Sequence, residues 1–97
     1  MYVATAHITI HLFASDSLKD KRQVLRSVLA RARNQFELSA AEVGSQGLWN
    51  QAEIGLAFVS GKAAHAAEVI EHAIRSIESS RPDIEITQAD TDILTIE

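Results

Sequence analysis

Lys19, Arg22, Arg26 and Arg33 stand three, four and seven residues apart. On a helix these steps of 100° bring four cations within about 60° of one another. A cationic stripe of that kind does one sort of chemistry well, the pairing of phosphate or carboxylate groups. Two more cations, Lys21 and Arg31, lie in the same stretch, which thus holds six of the chain's nine Lys and Arg residues. Lys19, Lys21 and Arg22 crowd the first turn and a half, where the helix dipole is already positive and disfavours cations. Lys21 also projects towards the apolar side. A local rule broken without visible compensation marks a place to look for function, and Lys19, Lys21, Arg22, Arg26 and Arg33 are the candidate nucleic-acid contacts. The structural alternative is that these long side chains snorkel past the edge of a sheet.

Other chemistries find less support. His7 and His11 share a strand face but stand about 13 Å apart at 3.3 Å per residue, too far to share an ion. His65 and His72 are about 10 Å apart on a helix and lack the four-residue spacing of a helical zinc pair. Ser15, Asp16 and Ser17 precede a helix and could hold an anion, but no general base adjoins them in sequence. With no cysteine in the chain there is neither thiolate chemistry nor a disulfide framework. No catalytic residue, metal ligand or cofactor is expected. Trp49 is the only tryptophan. A lone loop tryptophan is more often a plug at the end of the core, and an exposed one is a partner anchor. It joins His7 and His11 as a candidate partner contact.

The elements that must position these residues follow from hydrophobic period. Residues 2 to 13 alternate, with Tyr2, Ala4, Ala6, Ile8, Ile10 and Leu12 on one face and Thr5, His7, Thr9 and His11 on the other. Ser17 caps the basic helix, which runs to Phe36 and has an apolar arc of Leu18, Leu25, Val28, Leu29, Ala32 and Phe36. A short strand over about Glu37–Val43 follows, then a loop whose Gly44 and Gly47 permit positive φ. A strand over Gln51–Ser60 packs Ala52, Ile54, Leu56 and Phe58. A second helix covers about Ala63–Ser79 and stops before Pro82. A last strand, Ile84–Ile96, slips its pattern between Gln88 and Asp92, where a bulge is expected. This β-α-β-β-α-β order predicts an α+β, ferredoxin-like sandwich. Its four-stranded antiparallel sheet carries both helices on one face, in a single domain spanning 1–97.

The outward face of that sheet lacks the aromatic residues on which bases stack in RNA-binding domains of this architecture. Its small residues, Gly55 and Ala57, suit self-association, and a homo-oligomer is expected. Charge is segregated: residues 19 to 33 hold six positive charges and one negative, a net of +5, and residues 83 to 97 hold five carboxylates and no base. The basic face can bind a polyanion although the chain's net charge is −4. No apolar run reaches the length of a membrane span, and no secretory leader is evident. A cytoplasmic protein is expected, with neither a membrane nor DNA as partner.

Ser17-Leu18-Lys19-Asp20-Lys21-Arg22 resembles the SLKEKR signature of the YlxP-like family, small bacterial proteins of unknown function. The resemblance continues through Ala41-Glu42-Val43, through Gln46-Gly47-Leu48-Trp49, and into the strand beginning at Gly55. Gly44 and Gly47 stand where acidic residues occur in that family's segment, so any chemistry those carboxylates do in relatives is lost here. The resemblance implies a ferredoxin-like fold. It also implies, through genes often adjacent to those for ribosome maturation and translation initiation, a partner on the ribosome or another structured RNA. The alternatives are a ligand-sensing or oligomerisation module of the same fold and a protein-binding scaffold.

Overall fold

The computed structural model describes residues 1–97. Strand β1 (Tyr2–Leu12) leads through a short turn into helix α1 (Leu18–Phe36), strand β2 (Ser39–Gly44) and strand β3 (Gln51–Ser60). Helix α2 (Ala63–Ser80) and strand β4 (Ile84–Thr95) complete the chain. The strands form one antiparallel sheet in the order β2-β3-β1-β4. This is the expected β-α-β-β-α-β arrangement, with β1 and β3 central.

The even-numbered residues of β1 and β3 form the buried face, because successive side chains of a strand point to opposite sides. Ile8, Ile10, Leu12, Ile54 and Leu56 are each 2% exposed or less. Phe58, at the end of that row, is partly buried against them. The helices supply the opposing layer with Leu25, Val28 and Ala32 from α1 and Ala66, Ile70, Ala73 and Ile77 from α2. The odd-numbered face of the sheet carries no helix.

Helix α1 begins as its capping residues dictate. The Asp20 N–H donates to Ser17 Oγ at 3.1 Å, and the Asp20 carboxylate accepts from the Asp16 N–H at 3.1 Å. The helix ends at Glu37, which adopts the left-handed conformation (φ 57°) and returns its N–H to Ala32. That turn delays β2 to Ser39, two residues beyond the Glu37 expected from the pattern.

Two further expectations shift, and one irregularity was not expected. The glycines of the β2–β3 loop keep ordinary φ, and the residue with positive φ is Ser45 (59°). The register shift opposite β1 falls between Thr9 and Ile10, whose β4 partners are Gln88 and Ile86, so the extra residue is Thr87 rather than one after Gln88. A second shift lies in β2, where Glu42 and Gly44 face Ile54 and Glu53 and leave Val43 as the additional residue. Val43 folds over Gly55, where a Cβ would meet Val43 Cγ1 at 3.1 Å. The smallness of Gly55 is thereby explained by packing.

A candidate anion-binding groove beside the first helix

Sequence placed five cations on α1 as one set, and the structure divides them. Lys21 is 2% exposed. Its ammonium donates to Ser45 O at 2.6 Å and Leu48 O at 2.8 Å, and lies 3.0 Å from Glu42 Oε2. Glu42 Oε2 is itself buried and takes no aligned hydrogen bond, so the ammonium compensates its charge by proximity. Lys21 is therefore withdrawn from the surface and cannot present its charge to an external phosphate. The projection towards the apolar arc was legible in the sequence. The acceptors were not, since they lie 24 and 27 residues away on a loop.

The remaining four cations are exposed. Arg33 donates through Nε and Nη2 to Ala40 O at 3.1 and 2.6 Å, which holds its guanidinium against β2. Lys19, Arg22 and Arg26 make neither an ion pair nor a side-chain hydrogen bond within the chain, whose ion pairs are Lys21–Glu42, His7–Glu53 and Arg81–Asp83. Arg31, on another side of the helix, donates to Ser76 Oγ at 2.8 Å and ties α1 to α2.

Arg22, Arg26 and Arg33 line an open groove of about 380 Å³ between α1 and the β2 end of the sheet. Its apolar wall is Leu18, Leu25 and Leu29, and the Lys21–Glu42 pair and Gln46 complete it. The three arginines span eleven helical steps, about 16 Å at 1.5 Å per residue. The groove thus offers a row of guanidinium groups beside a strip of leucine.

The β2–β3 loop closes the end of the groove nearest the start of α1. Ser15, 3% exposed, donates its one hydroxyl proton to Trp49 O, with Ser17 O also at 3.1 Å, and so joins that loop to the α1 cap. The Leu12 N–H takes Asn50 O at 2.9 Å. Despite these anchors, Leu48 and Trp49 turn outward, 48% and 45% exposed, and Leu18 at the start of α1 is 45% exposed. Trp49 is thus no core plug. Leu12 and Ile84, partners in the sheet register, are buried at their end of the strands.

On the uncovered sheet face the two strand histidines part company. His7 Nε2 lies 2.9 Å from Glu53 Oε1. Glu53 Oε2 accepts from Ser45 Oγ, and that hydroxyl in turn accepts from Gln51 Nε2 at 3.0 Å. The Ser45 hydroxyl, helped by His7, holds the Glu53 carboxyl below the usual carboxylate range against the opposing effect of desolvation. The carboxylate thus stands between the serine and the histidine. Nucleophilic catalysis needs the imidazole to touch the hydroxyl, with the carboxylate behind it. His11 instead packs edge-on against Phe13, ring centroids 4.8 Å apart. His65 packs against Phe58 in the same manner at 5.6 Å, away from His72 in role. A Cβ on Gly44 would lie 2.6 Å from Glu53 Oε2. The space an acidic residue at 44 would need is taken by a carboxylate arriving from β3.

The profile of the family described as protein of unknown function (DUF503) matches residues 3–91. The uncharacterized protein YlxP of Bacillus subtilis (strain 168) is 34% identical over 76 residues, 78% of this chain and 82% of that protein. Among solved structures, a dimeric ferredoxin-like protein from an uncultured marine organism superposes with TM-score 0.55 at 10% identity, covering 100% of this chain and 99% of that one. A candidate antibiotic biosynthesis monooxygenase from Chloroflexus aurantiacus J-10-fl gives 0.57 at 10% identity, covering 98% and 95%. At such identities the two structures establish the ferredoxin-like fold alone.

Proposed function

We propose, for a chain that belongs to the DUF503 family of proteins of unknown function, that it is a binding protein whose α1 groove takes the phosphates of a structured RNA. The observation that carries this reading is that Lys19, Arg22 and Arg26 have no partner of their own. Two of them share a groove with Arg33. The other cations of α1 have internal acceptors, and of the three cations at the start of the helix only Lys21 is accounted for by structure. Lys21 is there to hold a loop. Lys19 and Arg22 gain nothing from their position near the positive end of the dipole, and an external anion would supply the missing compensation. RNA suits a row of separated guanidinium groups better than a single small anion does, because each phosphate satisfies one of them.

The test is a titration of a ribosomal RNA fragment at two salt concentrations with wild type and a Lys19→Glu/Arg22→Glu variant. Wild-type affinity is expected to fall with a log–log slope of about −0.7 to −0.9 per phosphate contacted. The variant is expected to bind more weakly with a shallower slope. Its melting temperature is expected to hold or rise, because carboxylates suit that end of a helix. Equal binding by both proteins, or none by either, rejects the reading.

A second reading, a self-associating module, is favoured by the uncovered face. Val59, Val3 and Leu94 lie side by side there in the sheet register, with Val59 57% and Leu94 48% exposed. Oligomerisation and RNA binding use different surfaces, so the two readings are compatible.

A further inference from the structure

The β2–β3 loop presents a contradiction that the groove alone leaves unexplained. A loop of this length ordinarily gains freedom from its exposure. Here a buried ammonium is spent on two of its carbonyls, Ser45 O and Leu48 O, and a buried hydroxyl on a third, Trp49 O. Ser45 is held at positive φ within it. Taking a lysine out of water is unfavourable unless its protons are well placed, and what this one secures is a segment whose two largest side chains face outward. Rigid backbone under an exposed aromatic ring is preorganisation: the entropy of fixing the contact is lost on folding rather than on binding.

Where that residue is anchored decides its use. Gln46 and Lys21 line the groove, Lys21 grips Leu48, and Trp49 is joined through Ser15 to the first residues of α1. Unpartnered Lys19 and Arg22 lie on that same end of the helix. An exposed aromatic residue anchored at the helix end that carries free cations supplies the pairing that single-stranded nucleic acid requires, one base on the ring and its flanking phosphates on the charges. Base stacking by aromatics of the central strands is closed to this protein, since Gly55 and Ala57 occupy those positions.

We propose that Trp49 is a stacking platform for one unpaired base at the end of the α1 groove, so that the protein recognises RNA where a single-stranded nucleotide adjoins a run of phosphates. The proposal rests on the phosphate-binding reading and adds to it a requirement for an exposed base.

Because Trp49 is the chain's only tryptophan, its emission reports the contact directly in the unaltered protein. The probes are a 12-nucleotide oligoadenylate, an oligomer of the same length carrying abasic sites, and vesicles of phosphatidylglycerol and phosphatidylcholine. Oligoadenylate is expected to quench Trp49, and the abasic oligomer, with the same phosphates, to bind about 5- to 150-fold more weakly without quenching. Trp49→Ala is expected to lose that same factor for oligoadenylate only, and Trp49→Phe to recover most of it. The loop anchors are backbone atoms of residue 49, so neither substitution removes them. Equal, salt-sensitive binding of both oligomers with unchanged emission overturns the stacking proposal and leaves phosphate binding intact. Absence of binding by either oligomer leaves the phosphate-binding reading to the ribosomal RNA titration alone and overturns the stacking proposal. An emission shift on vesicles with none on oligoadenylate also overturns it, and assigns the exposed apolar corner to a lipid surface.

Discussion

Lys21 shows how much one residue can mislead and inform at once. On a helical wheel it is a cation inside an apolar arc, and the sequence offers binding and snorkelling as its uses. The structure gives it neither, for the side chain is enclosed and occupied by three oxygens. Replacing it by methionine keeps the bulk but leaves Glu42 and two carbonyls without compensation. Lys21→Met is expected to cost about 3 kcal/mol in urea unfolding, the lower end for a broken buried pair, because the Glu42 side chain keeps 28% exposure. A Lys21→Met/Glu42→Gln double variant is expected to recover part of that loss. Two carboxylates carry a pH dependence of definite sign. Glu53 is depressed chiefly by the Ser45 hydroxyl and Asp83 chiefly by its two hydrogen bonds from Arg81. A group depressed in the folded state stabilises fully above its ordinary value and ceases to do so as pH falls through its folded value. With ordinary values of 4.5 and 3.8, the melting temperature is expected to be insensitive to these groups near neutrality and to decline in acid. Glu53→Gln and Asp83→Asn are expected to flatten that decline when melting is followed from pH 6 to about pH 3.

At the scale of elements the sequence was a good guide wherever one face of a segment is buried. Alternation in β1 and β3 located both strands and their core residues, because a one-residue error would turn Ile8, Ile10 and Ile54 to solvent. The start of α1 was legible from Ser17 and Asp20, whose side chains act only on their own turn. Its far end at Phe36 was placed too, but the left-handed turn at Glu37 that follows lacks the usual glycine or asparagine signal, so β2 was expected two residues early. The loop glycines drew attention for their freedom of φ, which neither uses; Gly44 matters for space, lying under the Glu53 carboxylate, whereas nothing approaches Gly47. The groove itself was legible only as a stripe of cations. Which of them face it depends on where β2 and its loop pass, a long-range fact that no helical period contains. The same holds for Trp49, whose outward position follows from anchors on β1, the α1 cap and Lys21.

Across the whole molecule the sheet outruns the helices that cover it. The principal extents are 44 × 22 × 20 Å. The radius of gyration, 13.4 Å, exceeds the roughly 12.5 Å of a compact chain this long. The excess lies in the β1–β4 end, where Met1 and Ile96 exchange backbone hydrogen bonds and every β4 residue from Thr87 on is exposed. A strand bare on both faces, carrying Ile93 and Leu94 and forming one edge of the sheet, is a surface that proteins usually cover. A second copy could cover it in two ways that respond oppositely to salt. Apolar pairing through Val59, Val3 and Leu94 keeps its strength as ionic strength rises. Docking of the acidic β4 of one copy onto the basic α1 of another is screened within a Debye length of about 8 Å at physiological salt. The apolar contact is the expected one, because exposed Val59 and Leu94 flank half-buried Val3 in register whereas the β4 carboxylates are spread along the strand. Sedimentation is expected to give a dimer whose dissociation constant hardly changes between low and high salt, and Val59→Asp/Leu94→Asp is expected to give a monomer that still folds. A dimer that dissociates in high salt and survives the double substitution would place the contact on α1 instead. The RNA titrations would then have to be read as competition between phosphate and the partner's carboxylates for the same arginines.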